Sequence, residues 1–431
     1  MIKRFTIFLS FFLLLALFGG CGSPVENGTA TMADEATVTT SAGETTNGVG
    51  TTSTGGASST TTSTIPYQTT VEKVPDTTVS TTISTTAPTA APTVHTLTPL
   101  AASSYYGLSE LKRLPNSMAL VDAYEKIVEA VQSCQTNIAM DEKLTKAELL
   151  TVFNYYYADY PQHFWFDGSI RYAISSRSNK ITQLQLSYTM TGDQLLQAQT
   201  QFKKAVVDFL EIAATGRNEY ERELLLHDAF AKRVTYQEGD NAHNAYGALV
   251  KGKAVCEGYA RAFQYLLYQS GIQCLIAEGE SVNPTTGLSE GHAWNVVSID
   301  GQYYHVDLTW DDTNDVNTPV VYAYFNLTTA QIKGDHVINN ENRYVLPNCT
   351  ATANNFHVKN GTRLTAYTVD SIAGMLNKMG DTHVYCVNGA DSFVDWFNTN
   401  HTAVMQSMGI YRGYSFSMLY TGNEVVVRLK M

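Results

Sequence analysis

The chain is poor in positive charge. Its 431 residues carry 28 Lys and Arg against 40 Asp and Glu, for a net charge of −12. It has no basic patch, phosphate-cradling glycine loop or dinucleotide fingerprint, so nucleic acid is excluded as a partner and nucleotide chemistry has no motif to rest on. His227-Asp228, His243 and His305 are too scattered for a zinc motif, and no metal is expected. The oxygen-rich stretch 311–317 lacks the glycine and terminal glutamate of an EF-hand loop, so it reads as a solvated turn. No internal repeat of wall-binding type is present. Cysteine is sparse, six in all. Cys134, Cys274, Cys349 and Cys386 can pair in three ways or stay reduced, and sequence does not choose among these.

The apolar run at residues 5–18 is too short to span a bilayer. With Lys3 and Arg4 before it and Gly19-Gly20-Cys21 after it, residues 1–21 read as a cleaved signal segment. A cysteine just past the cleavage point looks like a bacterial lipoprotein signal, with Cys21 lipidated, although Phe18 stands where leucine is usual. Residues 22–102 are dominated by Thr, Ser, Ala, Gly and Pro, with Lys73 the one basic residue. Such a segment cannot bury enough apolar area to offset its chain entropy and reads as a disordered linker. At about 80 residues it spans roughly 50 Å as a coil, enough to lift a domain from the membrane into a cell wall. The expected location is the extracellular face of a bacterial membrane, reached through a lipid anchor.

From residue 103 the composition is globular and long enough for a large core. Leu120, Tyr124, Ile127, Val128 and Val131 form a helical stripe, and Thr145 with Glu148 forms a capping box for a helix ending before Pro161. Alternation over 169–176 and 181–189 predicts a hairpin, followed by a helix over 193–214. The aromatics Tyr155-Tyr156-Tyr157 and His163-Phe164-Trp165-Phe166 read as core, with a ligand groove as the alternative. Residues 351–431 read as two helices and three strands, closing with a hairpin around Gly422-Asn423. The chain therefore divides into a signal (1–21), a linker (22–102), an N-terminal α+β region (103–215), a core (216–350) and a small C-terminal α+β region (351–431).

The chemistry lies in the core. Residues 256–270 predict a helix with Ala260, Phe263, Leu266 and Leu267 on one face and Gly271 as its stop. Cys256 then sits at the helix N-terminus, where free N–H groups and the macrodipole favour a thiolate and could support an oxyanion. The alternative for this residue is a buried structural cysteine. Residues 292–299 and 302–309 predict strands around Asp300-Gly301, a two-residue hairpin turn. That register sets Trp294 opposite Asp307, and His292, Trp294 and Asp307 on one face, with His292 and Asp307 as diagonal neighbours. A thiol, an imidazole and a carboxylate so placed are the parts of a nucleophilic acyl-transfer site. Asn244 and Tyr246, ten to twelve residues before Cys256, are candidate oxyanion donors or site-lining residues, as is Trp294.

The helix at 219–234, Tyr236, the run Gly252-Lys253-Ala254-Val255-Cys256-Glu257-Gly258-Tyr259-Ala260, then Gly291-His292-Ala293-Trp294-Asn295 and Val306-Asp307-Leu308-Thr309-Trp310-Asp311 resemble the transglutaminase-like (papain-like) superfamily, in its bacterial cell-surface branch. The resemblance covers residues 215–312. It implies an α+β core in which a nucleophile helix packs on an antiparallel sheet, with Cys256 as nucleophile, His292 as base and Asp307 as its orienting carboxylate. The superfamily holds peptidases, crosslinking acyltransferases, peptide N-glycanases and inactive members, so it implies a mechanism more firmly than a substrate. The expectation is a cysteine-dependent enzyme that hydrolyses or transfers amide bonds of wall peptides or proteins without a cofactor. The rival is a non-catalytic wall- or protein-binding module on the same fold.

Overall fold

The computed structural model describes residues 93–282, 288–312, 320, 322–339, 344–379, 381–385, 390–421 and 424–430. The signal, Cys21, nearly all of the linker, Cys386 and residues 313–317 of the oxygen-rich stretch lie outside the described residues.

The first helices are built from their stripes and caps. Helix α1 (Tyr106–Leu111) leads into α2 (Ser117–Gln132), which buries Leu120, Tyr124, Ile127 and Val131 on one face. Helix α3 (Lys146–Asp159) opens on the expected capping box: the Thr145 hydroxyl accepts the Glu148 N–H at 3.2 Å, and the Glu148 carboxylate accepts the Thr145 N–H at 2.7 Å. The helix ends on Asp159, which is fully buried. It accepts the N–H groups of Gly107 (3.0 Å) and Leu108 (2.9 Å) and the Tyr124 hydroxyl (2.7 Å), so the end of α3 holds the start of α1. Burial pushes the Asp159 carboxyl up to about 6. Strands β2 (Phe166–Ile174) and β3 (Ile181–Tyr188) form the expected hairpin, with β1 (Asn137–Ala139) on the other side of β3. Tyr156, Phe164, Trp165 and Phe166 are buried in the main core, so this aromatic cluster fills the interior and forms no open groove.

Helix α4 (Gly192–Ala213) packs on α5 (Glu219–Arg233) through Phe209 and Phe230, whose ring centroids are 6.0 Å apart. A parallel pair of short strands follows, β4 (Thr235–Tyr236) and β5 (Lys253–Ala254), which carries the chain into α6 (Cys256–Gln269). Tyr259, Phe263, Leu266 and Leu267 bury one side of α6, and Gly271 at φ +80° ends it. The central sheet has the order β8-β7-β6-β9, all neighbours antiparallel: β6 (Cys274–Val282), β7 (Ser289–Ile299), β8 (Gln302–Val306) and β9 (His336–Ile338). Positions 292–297 are buried without alternation, because β7 lies inside the sheet with both faces covered. Asn295 ties helix to sheet, donating to the carbonyls of Ala260 (3.0 Å) and Leu275 (3.3 Å).

The hairpin register is the expected one, with Ile299 paired to Gln302 and positive φ at both Asp300 (50°) and Gly301 (74°). One expectation is corrected. Pairing stops at Asn295 and Val306, and the end of the predicted strand over 302–309 gives way to a helical turn, α7 (Leu308–Asp311), with Asp307 as its N-cap. The run Asp-Leu-Thr-Trp-Asp supplies a capping carboxylate where the strand pattern suggested a further rung.

Helices α8 (Thr329–Ile332) and α9 (Phe356–Lys359) are single turns. The C-terminal part has its own small core of Ile372, Leu376, Phe393, Phe397, Val425 and Val427. It contains α10 (Val369–Met379), α11 (Ala390–Ser407) and a sheet ordered β10-β11-β13-β12. The strands are β10 (Arg363–Leu364), β11 (Asp381–Tyr385), β12 (Ser415–Thr421) and β13 (Glu424–Lys430), the last two forming the expected hairpin. This is one helix and one strand more than the sequence pattern suggested.

Candidate active site

Cys256 is the first residue of α6 and is partly exposed. The Tyr259 N–H is the first to bond back, to the Val255 carbonyl, which leaves the N–H groups of residues 256–258 outside the helix ladder. The Cys256 N–H donates to the Tyr236 hydroxyl at the end of β4. Gly258 explains the Cys-Glu-Gly order: a Cβ there would lie 2.2 Å from the Ala242 carbonyl oxygen and 2.7 Å from the Ala254 Cβ. Glu257 turns inward and is held at Oε1 by the Arg261 Nε at 2.8 Å and approached by His243 at 3.5 Å. Burial would raise its carboxyl, but Arg261 and His243 overcome this and hold it down at about 2. The Arg261 guanidinium also lies 3.8 Å from the Tyr157 ring centroid, joining the N-terminal region to the base of α6.

His292 on β7 is 5% exposed and interacts with the Cys256 side chain, which helps hold the imidazole protonated. Its Nε2 lies 2.7 Å from Asp307 Oδ2, which leaves Nδ1 for the thiol. Asp307 is fully buried. Its Oδ1 accepts the N–H groups of Thr309 (2.9 Å) and Trp310 (3.2 Å), so the cap of α7 aims the other oxygen at the imidazole. Burial alone would lower the His292 pKa; the Asp307 charge and hydrogen bond, with the Cys256 contact, instead hold it up at about 10. For Asp307, burial acts upward and is overcome by His292 and His336, which keep its carboxyl well below the usual range.

The structure brings Cys256, His292 and Asp307 together with Trp294. The Trp294 ring stacks on His292 at 6.0 Å and 19°, but its N–H donates to His305 Nδ1 at 3.0 Å. Trp294 therefore lines the site and has no donor to spare for an oxyanion. Burial takes His305 down to about 3, so its ring is neutral and can accept. Asn244 and Tyr246 do not fill the donor role suggested for them. The Asn244 side-chain oxygen accepts the N–H groups of Tyr246 and Gly247, both at 3.1 Å, and its side-chain amide donates to Asn241 Oδ1. The Tyr246 hydroxyl donates to Gln201 on α4 at 2.7 Å, and its ring stacks on Phe164 at 4.8 Å. The polar side chain that does meet the backbone of Cys256 is Tyr236. Burial first, then the charge of Cys256, keeps its phenol protonated far above the ordinary range.

Three residues beside the site had no role in the sequence reading. His336 on β9 places Nε2 3.1 Å from Asp307 Oδ2 and Nδ1 2.6 Å from Asp335 Oδ1. Trp310 packs over both imidazoles, 6.0 Å from His292 and 4.8 Å from His336. His227 lies behind α7, with Nε2 3.2 Å from Asp311 Oδ2; burial works against its charge, but Asp228 and Asp311 hold it up at about 9. Asp311 also accepts the Tyr324 N–H, and Asp312 accepts the Tyr259 hydroxyl at 2.6 Å. These two carboxylates are buried braces, where the sequence suggested a solvated turn.

Among the described residues, His292, Asp307 and His336 have ligand atoms within 4.8 Å of one another, as a metal site would require. Both imidazole Nε2 atoms sit at hydrogen-bonding distance from the same carboxylate oxygen. A cation would have to displace both protons from a fully buried cluster, so the donor set fits proton bridges better than a metal. Cys134, Cys256, Cys274 and Cys349 are all free thiols, which rules out pairing among them.

Residues 210–308 match the model of the Transglutaminase-like superfamily, which spans Cys256, His292 and Asp307. Kyphoscoliosis peptidase of Mus musculus and of Homo sapiens are each 33% identical over 106 residues, 22% of this chain. The match spans 16% of the length of those relatives. The crystal structure of a TGase aligns with 35% of this chain and 45% of its own, at 13% identity and a TM-score of 0.24. The core is transglutaminase-like: a mixed helix and sheet domain with a cysteine-bearing helix on an antiparallel sheet.

Proposed function

We propose that this protein is a surface-anchored enzyme that carries out cysteine-dependent acyl transfer, with its catalytic core within residues 216–350 and α+β regions flanking it. The unbroken contact from Cys256 to His292 to Asp307 carries the reading, because a thiol, a base and an orienting carboxylate in that order are what the chemistry requires. His292 takes the thiol proton through Nδ1, and the Cys256 sulfur attacks the carbonyl carbon of an amide. The N–H groups at the start of α6 and the Tyr236 hydroxyl are the donors at hand for the carbonyl oxygen as it gains charge. As the tetrahedral intermediate collapses, the C–N bond breaks and His292 returns the proton to the leaving amine. A thioester remains. Water, losing a proton to His292, attacks it to release a carboxylic acid and restore the thiol; an amine in its place gives a new amide.

Hydrolysis is favoured over transfer, since water is always present; the peptidase name of the two curated relatives agrees. An anchor at Cys21 and the tether over 22–102 would deliver the core to wall peptides or surface proteins, its proposed substrates. Replacing Cys21 with Ala should release the protein from membranes, and a variant that stays bound would remove the anchor. The catalytic reading is tested by the rate of iodoacetamide alkylation at Cys256 across pH, in the native chain and in His292→Ala. Rapid alkylation under mildly acidic conditions, lost in the variant, is expected. An ordinary thiol profile indifferent to His292 would overturn it in favour of the binding module.

A further inference from the structure

We infer that His336 is a positioning residue of this site, acting through Asp307; the inference rests on the Cys256–His292–Asp307 reading. The four hydrogen bonds to the Asp307 carboxylate divide evenly. Oδ1 takes two backbone N–H groups of α7, and Oδ2 takes His292 and His336. The cap fixes one oxygen but leaves the carboxylate free to swing about it, so the backbone alone does not decide where Oδ2 points. The second donor on Oδ2 decides that. His336 comes from β9, an edge strand whose ladder with β6 pairs it with Ser281, and so approaches Asp307 from a different element than His292 does.

His336 is itself held on every side. Its Nδ1 meets Asp335 Oδ1, and Asp335 Oδ2 accepts the Tyr324 hydroxyl at 2.8 Å. The rings of Trp294 (5.0 Å), Trp310 (4.8 Å) and Tyr324 (5.7 Å) surround it. It is 2% exposed and sits behind Asp307, where no substrate can touch it. Both ring nitrogens face carboxylates, Nε2 that of Asp307 and Nδ1 that of Asp335. The contacts thus run without a break along Asp335–His336–Asp307–His292–Cys256, up to the thiol. Its purpose is to pin the carboxylate so that the His292 ring stays aimed at the sulfur, in the way that outer-shell partners orient inner ligands elsewhere.

The test uses the full chain with His336→Leu, His336→Gln and Asp307→Asn, and follows turnover of p-nitrophenyl acetate. His336→Leu should lower kcat on the order of 10²-fold, the cost of an imidazole misplaced by about 1 Å, with KM unchanged. His336→Gln keeps an N–H near the Nε2 position and should recover most of that loss, which a merely structural role would not predict. Wild-type kcat in folded His336→Leu would overturn the inference. So would equal defects in both variants, or a KM that rises in step with the loss of kcat. Should His336→Leu fail to fold, His336→Gln decides: kcat near wild type supports the inference, and a loss as deep as that of Asp307→Asn overturns it. Full turnover by Asp307→Asn would sink the underlying catalytic reading instead, so the two failures are distinguishable.

Discussion

Replacing Asp307 with Asn separates the two tasks of that residue. Asn caps a helix as well as Asp does, so its amide oxygen takes over the N–H groups of Thr309 and Trp310, and α7 should survive. The amide nitrogen must then occupy the Oδ2 position, 2.7 Å from His292 Nε2 and 3.1 Å from His336 Nε2. A donor now faces two donors. His292 relieves the conflict by offering a lone pair at Nε2, which moves its proton to Nδ1, the nitrogen turned toward Cys256. In that tautomer it cannot accept the thiol proton. The expected loss in kcat is on the order of 10⁴-fold, or about 5 kcal/mol of transition-state stabilisation. Turnover of p-nitrophenyl acetate measures it, with far-UV circular dichroism to check that the fold is retained. A folded variant within about ten-fold of wild type would refute the tautomer argument.

Other perturbations probe the scaffold and the charge pair. Asn295→Ala removes the side-chain donor that the carbonyls of Ala260 and Leu275 share and should cost about 1 kcal/mol in urea unfolding; an unchanged midpoint would dissolve the clamp between α6 and the sheet. Gly258→Ala drives a methyl group to within 2.2 Å of the Ala242 carbonyl oxygen, so stability should fall by about 1–3 kcal/mol and Cys256 alkylation should slow, whereas a neutral change in both would contradict the tight approach. His292 is held protonated to about 10 against an ordinary 6.5, so its contribution to stability is full below pH 6.5 and fades as pH rises toward 10. The contribution of Asp307, whose carboxyl is lowered from 3.8, is full above that value and is lost in acid. The stability gap between wild type and His292→Ala should therefore be widest in mildly acidic solution and narrow toward alkaline pH; a gap that widens with pH would reverse the assignment of charge.

Much of the site was legible because its parts lie in local patterns. The Asp300-Gly301 turn fixes the register of β7 on β8 through two positive φ angles, and period-two alternation then puts His292 and Trp294 on one face. The stripe of α6 and its stop at Gly271 place Cys256 at the helix start. The reading weakened where local signals competed. At Asp307 the alternating pattern ran on while a capping carboxylate ended the strand, and cap chemistry prevailed. Asn244 and Tyr246 are close to Cys256 in sequence, yet one caps a turn and the other reaches α4.

The sequence by itself determined the chemistry available: which helix starts at the cysteine, which hairpin carries the histidine, and the carboxylate that follows it. Only the tertiary structure decided what surrounds those groups. His336 lies 29 residues beyond Asp307 on the far edge of the sheet, with no spacing motif to announce it, and meets the carboxylate only because β9 pairs with β6. Tyr236 reaches the Cys256 N–H through the pairing of β4 with β5. Turns, caps and stripes are settled between near neighbours, whereas the partners of a buried charge are chosen by how distant strands and helices pack, and that is where the protonation states of this site are set.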